Sequence, residues 1–429
     1  MAPIPPLIRR NTLYLSAAQA LHSIILQLNV VLAALVLLQL SGSPALAGLG
    51  GGVVWGGRIL IVYESGRMMD RFGRRIILIL GVALSAGAIV LLGFSALYLS
   101  TIGFLTGLVV FGVGTGVMQQ NRVAVADMYP TTRRAEAVGS LFTASVVGAI
   151  LATFFISSAV SVAYLFKFEP FVLSYFASLP ILGSIATFIW LVKPDPRDIA
   201  KDLHLYYGEA QITHSSGGGS ANPIPIMKVL AYVPLLIAFM SSALAQGNMT
   251  MIMALVPLVL HSHHIDVPSI SLSVTIHFLG MYALALLLGR LADRVGRKKV
   301  LIAAGLISGV GSLLTPATPD FWAITVGTFL VGLGWSGATV ATTALMADVT
   351  EPLKRGQVIG ANDTFMAITA LIFPFVGGLL IQEFGFIGLG LFGFFASIVA
   401  VLLPLGLKEV KPGIYEHGHG RVGVEVGGA

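Results

Sequence analysis

Gly66-Arg67-Met68-Met69-Asp70-Arg71-Phe72-Gly73-Arg74-Arg75 returns 223 residues later as Gly289-Arg290-Leu291-Ala292-Asp293-Arg294-Val295-Gly296-Arg297-Lys298. Glycine, aspartate and the basic residues hold the same positions in both copies, and long apolar runs flank each. The same step recurs elsewhere. Asp127 maps to Asp348, Arg134 to Arg355 and Gly139 to Gly360, each 221 residues on, and Gly112 and Gly114 map to Gly332 and Gly334, 220 on. A repeat of half the chain length means two structurally equivalent halves.

The runs around these copies set the solvent. Of 429 residues, 56% are hydrophobic and 10% charged, with a mean hydropathy of +0.90. Soluble domains carry about 25% charged residues, so charges this sparse cannot cover a water-exposed surface, and lipid is the expected surrounding. A spanning helix needs about 20 apolar residues. The chain offers twelve candidates, at 13–40, 46–65, 76–98, 101–126, 137–165, 171–192, 228–260, 269–289, 299–316, 321–347, 357–382 and 386–407. Their length and continuity exclude the short alternating strands of a membrane barrel. The start, MAPIPPLIRRNT, is short and polar, and no small-residue cleavage site follows a short apolar core. The first run is therefore expected to stay as a span. The cysteine count is zero, which removes disulfides, cysteine-ligated zinc, iron–sulfur clusters and thiol nucleophiles together.

The charges orient the spans. Of 25 lysines and arginines, Arg58 lies within span 2 and Lys167 between spans 5 and 6. All others fall on the N-terminal tail, the even-to-odd loops with their adjoining helix ends, or the C-terminal tail. Loops 43–45, 99–100, 261–268 and 317–320 hold none. This positive-inside pattern puts both termini and the 193–227 loop in the cytoplasm of a cell-membrane protein. The net charge of +6 then reflects topology and contact with lipid headgroups rather than nucleic acid. Segment 193–227 contains KPDPRD and HSSGGGSANP and reads as a linker. The expected organisation is an N-terminal six-helix bundle (1–192), a cytoplasmic linker (193–227), a C-terminal six-helix bundle (228–407) and a cytoplasmic tail (408–429).

The pattern G-x-x-x-D-[RK]-x-G-[RK]-[RK], met twice between the second and third spans of each half, resembles the signature loop of the major facilitator superfamily. The resemblance runs over about residues 11–407. It implies an all-α integral membrane fold of twelve helices in two pseudo-symmetric bundles that rock about a central cavity by alternating access. It also implies that Asp70 and Asp293 meet a helix N-terminus of the opposite bundle, where the dipole favours an anion, and so hold the cytoplasmic side shut. The expected gating set is Gly66, Asp70, Arg71, Gly73 and Arg74, then Gly289, Asp293, Arg294, Gly296 and Arg297. Asp127 and Asp348, at the ends of spans 4 and 10, complete it by pairing with Arg74 and Arg297. The four glycines would permit tight turns and close helix approach. The bland alternative is that these charges only anchor loops among the headgroups.

Charges inside a bilayer are costly and mark function or a buried pair. Arg58 precedes Gly66 by eight residues, about 12 Å at 1.5 Å per residue, and Asp363 follows Arg355 by the same count. With spans 2 and 11 facing each other as the resemblance implies, Arg58 and Asp363 are candidates for an inter-bundle ion pair. The alternatives are a structural pair within one bundle and an Arg58 that reaches to lipid phosphate. His277, about 18 Å above Gly289 in span 8, is a candidate proton carrier, and His22 in span 1 is a second. A hydrogen-bonded interior histidine is the plainer account of each. Glu64 lies near the inner surface and reads as support for the signature loop.

Gln119, Gln120, Asn121 and Arg122 end span 4, where they either line the inner cavity or tie the helix to its loop. The resemblance makes spans 1, 4, 7 and 10 cavity-lining, so Gln27, Asn29, Gln246 and Asn248 join Gln119, Asn121 and Arg122 as substrate-cavity candidates. Tyr282 and Trp335 are the aromatic candidates, with packing as their other role. Two positions depart from family patterns. Leu108 stands where many proton-coupled members carry arginine, and span 5 has Gly148-Ala149-Ile150-Leu151-Ala152 without the proline of antiporters; Pro374-Phe375-Val376-Gly377-Gly378 lies in span 11 instead.

Other signals are weak. His261, His263, His264 and Asp266 crowd one outer loop, but metal binding needs converging ligands, and a solvated loop is the expectation. His417 and His419 lie in a tail expected to be disordered. Gly112-Val113-Gly114-Thr115-Gly116 follows no strand, so it reads as helix packing rather than a dinucleotide loop. No cofactor, metal site or enzyme motif is expected. The leading reading is a secondary active transporter, proton-coupled, that exports a drug or metabolite as an antiporter would. Import of an organic anion or nutrient, bound by Arg58 or Arg122, is the second. A receptor or scaffold that kept the fold is the third. The expected partners are a small-molecule solute, protons and membrane lipid, without nucleic acid, and the chain is read as a monomer.

Overall fold

The computed structural model describes residues 4–130, 133–207, 230–350 and 355–407, and among these the regular structure is helical throughout. The elements of the N-terminal half are α1 (Pro6–Ser41), α2 (Pro44–Phe72), α3 (Arg74–Leu97), α4 (Thr101–Met118), α5 (Asn121–Asp127), α6 (Arg134–Phe166), α7 (Pro170–Ala177), α8 (Leu179–Leu191), α9 (Pro196–Lys201) and α10 (Leu203–Tyr207). The C-terminal half has α11 (Val233–Ser262), α12 (Val267–Tyr282), α13 (Ala285–Val295), α14 (Arg297–Ala317), α15 (Phe321–Val349) and α16 (Arg355–Leu402). Eleven helical segments among the described residues are long and apolar enough to cross a bilayer. The last of them holds two spans, because Gly385 (φ 66°, ψ −167°) interrupts α16. Twelve spans result, with the final break inside the predicted gap.

Local chemistry starts α2, α4, α7 and α15. The Ser43 hydroxyl accepts the Leu46 N–H, Ser100 that of Gly103, Glu169 that of Val172 and Asp320 that of Ala323. Each is a side-chain oxygen meeting one of the unpaired donors of a first turn. Pro44 and Pro170 stand at first helical positions, where a missing N–H costs nothing. Span 6 is split after Ala177, and Pro180, without an N–H to continue the ladder, sits in the first turn of α8.

The helices overrun the predicted spans at the signature stretches. Gly66 to Phe72 belong to α2 and Gly289 to Val295 to α13, so most of each signature stretch is helix rather than loop. Arginine, methionine and leucine are good helix formers and carry the helix past its apolar part. Only Gly73 (φ 97°) and Gly296 (φ 101°) turn the chain. Gly66 is helical with open space beside it, and a Cβ at Gly289 would only touch Val340 at an ordinary 3.7 Å. The turn-forming role expected of all four glycines therefore belongs to two.

The described residues fall into two compact units, one within Met1–Ser215 and Ala254–Thr275, the other within Ser216–Met253 and Ile276–Ala429. Spans 1 and 7 are the most enclosed helices, each 78% buried over its most apolar window, against 33% for span 6 and 28% for the last segment. In the first unit, Gly57 and Gly112 let α2 and α4 touch backbone to backbone: a Cβ at Gly57 would collide with the Val109 carbonyl, and one at Gly112 with the Val54 carbonyl. Gly114 faces Ser85 and Gly81 of α3. The second unit repeats this, with Gly332 against the His277 carbonyl of α12 and Gly334 against Ala304 and Ser308 of α14. The glycine run of span 4 thus serves close helix contact.

Part of the stretch read as linker is folded. Residues 196–207 form α9 and α10, with Pro196 and Ile199 buried. Residues 208–227 of that stretch and the tail from 408, with His417 and His419, lie outside the described residues.

Candidate functional site

At the signature stretch of the first unit, Arg74 opens α3 and gathers two carboxylates. Its Nη1 donates to Asp70 Oδ1 at 2.7 Å and its Nε to Asp127 Oδ2 at 2.8 Å. The second unit repeats the arrangement around Arg297, whose Nη2 meets Asp293 Oδ1 at 3.0 Å and whose Nε meets Asp348 Oδ2 at 3.1 Å. Arg297 also donates through Nη1 to the Ala292 carbonyl at 2.8 Å. A guanidinium fork suits two acceptors at once. Both arginine side chains are largely covered, at 12% and 7% exposure, whereas Asp70 and Asp293 are open at 72% and 67%. The covered pairs to Asp127 and Asp348 therefore carry more energy than the open ones, which water screens. Arg71 lies over the Phe72 ring at 5.2 Å, Arg294 is exposed, and Glu64 pairs with Arg67 at 3.2 Å.

Sequence reasoning missed two residues here. Asp195 accepts the backbone N–H groups of Arg74 through Oδ1 and of Arg75 through Oδ2, both at 3.0 Å, and caps its own α9 through Arg197 N at 2.9 Å. Arg197 Nη1 donates to the carbonyls of Arg71 at 2.9 Å and Asp70 at 3.2 Å. One Asp-Pro-Arg segment thus satisfies both the first donors of α3 and the last acceptors of α2. The available signal was an aspartate followed by proline, the usual start of a helix. The segment is tied down further by Arg10 Nη2 and Asn11 Nδ2, which donate to the Lys193 carbonyl at 2.8 and 3.2 Å.

Within the membrane part of the first unit, Gln27 is fully buried, and its Nε2 lies 3.0 Å from the Ser271 carbonyl, 3.1 Å from Ser271 Oγ and 2.8 Å from Thr275 Oγ1. Thr275 in turn meets Thr153 Oγ1 at 2.6 Å and donates to the Ala149 carbonyl at 2.9 Å. This knot joins α1 and α6 to α12. Asn121 Nδ2 bonds the Leu15 carbonyl at 3.1 Å and Gln19 Oε1 at 3.3 Å, and so ties span 4 to span 1. Gln119 and Arg122 are exposed at that helix end. His22 and Asn29 are buried, and His22 Nδ1 and Asn29 Oδ1 have no partner among the described residues. Arg58 Nε donates to Thr115 Oγ1 at 3.2 Å, with the guanidinium 4.6 Å from the Trp55 ring centroid.

In the second unit, His277 is buried with Nδ1 2.7 Å from the Thr328 carbonyl. A carbonyl only accepts, so Nδ1 carries the proton and Nε2 is an acceptor; Nε2 has no partner among the described residues. Gln246 Oε1 accepts from Trp335 Nε1 at 2.8 Å, and its Nε2 donates to Thr250 Oγ1 at 3.0 Å. Tyr282 meets Trp335 edge-on with centroids 6.1 Å apart. Asn248 instead serves helix packing: its Nδ2 reaches Ser308, Ser312 and Ser397 at 3.0, 2.8 and 3.2 Å. Asp363 lies in α16 with an exposed side chain.

Comparison with known proteins adds the relatives. The model of the Major Facilitator Superfamily matches residues 15–237 and again 235–420. An uncharacterized MFS-type transporter, YdeG of Bacillus subtilis, is 25% identical over 92% of this chain and 91% of its own length. The riboflavin transporter RfnT of Brucella anthropi is 26% identical over 94% of this chain and 96% of its own. Among solved structures, the nucleoside transporter NupG superposes with a TM-score of 0.71 at 12% identity, covering 92% of this chain and 99% of that one, a likeness of fold.

Proposed function

The chain belongs to the Major Facilitator Superfamily, and on that premise we propose that it moves a small organic metabolite across the cell membrane by alternating access, coupled to protons and in the direction of efflux. That it is a multi-pass membrane transporter of a small solute follows from the family and the apolar helices. The finer reading rests on His277. An imidazole held at Nδ1 by the Thr328 carbonyl, with Nε2 buried and without a partner among the described residues, is built to take up and release one proton as its surroundings change. Gln246, Trp335 and Tyr282 stand in the same unit as the cavity-side contacts to the solute. His22 is a second proton site in the first unit. The charge clusters at Arg74 and Arg297, with Asp70 and Asp293, are the cytoplasmic gate. The relative named as a riboflavin transporter, matched over nearly its full length, supports a metabolite rather than a drug.

Arg58 favours a second reading. A cation inside span 2 suits an organic anion, and import of such a solute is the alternative. The test is solute counterflow in proteoliposomes with and without an imposed pH gradient. The proposal expects gradient-driven movement that is lost in His277→Asn while counterflow at equal pH survives. Transport indifferent to the gradient would remove the proton from the mechanism.

A further inference from the structure

We infer that the cluster of Gln246, Trp335, Tyr282 and Phe278 is a binding subsite for a neutral, flat nitrogen heterocycle. The inference rests on the carrier reading above and names the class of its cargo.

The subsite begins with a forced orientation. The indole Nε1 of Trp335 can only donate, so the Gln246 atom facing it at 2.8 Å is the amide oxygen. The amide nitrogen then points the other way and gives one N–H to Thr250 Oγ1 at 3.0 Å. Thr250 Oγ1 itself donates back to the Gln246 carbonyl at 2.8 Å. The second amide N–H is unused among the described residues, although Gln246 is 2% exposed. A buried amide with a donor to give costs free energy unless a partner arrives, and a ring nitrogen or ring carbonyl is such a partner.

The aromatic groups set the shape. Trp335 and Tyr282 are half-buried, with ring planes at 81° to each other, and Phe278 lies nearly parallel to Tyr282 at 23° with centroids 6.1 Å apart. Because Gln246 holds the indole nitrogen, the indole plane is fixed, which suits a rigid flat ligand. An amide N–H without a partner among the described residues and two half-open rings meet in one cluster, and a flat ligand with an acceptor would complete both. The polar groups are an amide, an indole N–H and a hydroxyl. None carries a formal charge, so the fit is to a neutral ring. Gln246, Tyr282 and Trp335 come from spans 7, 8 and 10 of one unit, so ring stacking and the amide contact act together.

The experiment uses lumichrome, a neutral tricyclic heterocycle that quenches indole emission. The chain has four tryptophans, so Trp55→Phe, Trp190→Phe and Trp322→Phe together leave Trp335 as the reporter in the full chain in nanodiscs. Saturable quenching is expected, weakened about tenfold in Gln246→Ala by loss of the amide contact and the held indole, and weakened also in Tyr282→Leu. Quinaldate, flat but anionic, and xylitol, neutral but not flat, are expected to compete poorly. Should the triple variant not fold, equilibrium dialysis of lumichrome against the wild-type chain and Gln246→Ala reads the same constants. Absence of saturable binding, or wild-type affinity in both Gln246→Ala and Tyr282→Leu, overturns the subsite. Counterflow of another solute without lumichrome binding overturns the subsite and leaves the carrier reading intact. Lumichrome binding without counterflow of any solute does the reverse.

Discussion

Asp195 caps the helix that starts at Arg74: its carboxylate accepts the Arg74 N–H at 3.0 Å and the Arg75 N–H at the same distance, across 121 residues of sequence. Gly73 makes this contact possible, because a Cβ there would lie 2.8 Å from Asp195 Oδ2. An anionic cap on a helix N-terminus stabilises by about 1 kcal/mol through the cap bond, with a further few tenths from the dipole. Asp195→Ala should lower the unfolding midpoint of the purified protein by a few degrees. Asp195→Asn, which keeps an acceptor but not the charge, should recover about half. Equal midpoints for all three proteins would show that the segment rests on α3 without holding it.

Arg74 and Arg297 are single cations each shared by two carboxylates, so their removal should cost more than removal of either partner. Arg74→Ala strands the largely covered Asp127, for which we expect a loss of about 1–3 kcal/mol, below the value for a fully buried pair because Asp70 is open to water. Asp127→Asn in the Arg74→Ala background should restore part of it, since the stranded charge is then gone. A double-mutant cycle on thermal unfolding decides; additive losses would mean that the 2.8 Å contact contributes nothing specific.

Much of this architecture is legible in the residues themselves. Apolar length, the asymmetry of lysine and arginine, and the doubled signature stretch lead to twelve spans and two related halves, and Gly385 breaks the last segment where the apolar pattern has its gap. The pairs Arg74–Asp127 and Arg297–Asp348 follow from the repeat, because the same four positions recur in both halves. What escapes is side-chain hydrogen bonding between distant spans. Asp195 and Arg197 carry no periodicity linking them to α2 and α3, and the Pro/Gly-rich surroundings argue for an unstructured linker. Gln27 and Asn248 look alike as amides in central helices. One ties α1 to α12, the other packs against three serines, and only the fold distinguishes them.

The knot around Gln27 can be tested with a covalent bond. The chain has no cysteine, so Thr153→Cys with Thr275→Cys introduces the only pair, at positions whose hydroxyls lie 2.6 Å apart. Oxidation should join them in high yield without displacing the backbone. If spans 5 and 8 separate at this height during transport, the oxidised protein should lose nearly all counterflow and regain it on reduction. Gln27→Leu, which removes the donor to Ser271 and Thr275, should raise the rate at which the reduced pair exchanges with a thiol reagent. Full counterflow in the oxidised protein would show that this contact persists through the cycle.

The signature glycines divide by conformation although the pattern treats them alike. Gly66 is helical with nothing within 4 Å of an added Cβ, whereas Gly73 sits at φ 97° with Asp195 against it. Gly66→Ala should therefore be neutral or stabilise by about 0.5–1 kcal/mol, since alanine restricts the unfolded chain and suits a helix. Gly73→Ala forces an L side chain into a backbone region it rarely adopts and pushes on the Asp195 carboxylate, with an expected cost of about 1–3 kcal/mol. Gly57→Ala provides the third level. Its Cβ would meet the Val109 carbonyl and the Gly112 Cα at 3.0 Å, so α2 and α4 must part and several contacts go with them, a cost of at least that order. Thermal unfolding of the three variants should rank Gly66→Ala at or above wild type, with Gly73→Ala and Gly57→Ala clearly below. Destabilisation by Gly66→Ala equal to that by Gly73→Ala would contradict the placement of the turn at a single glycine.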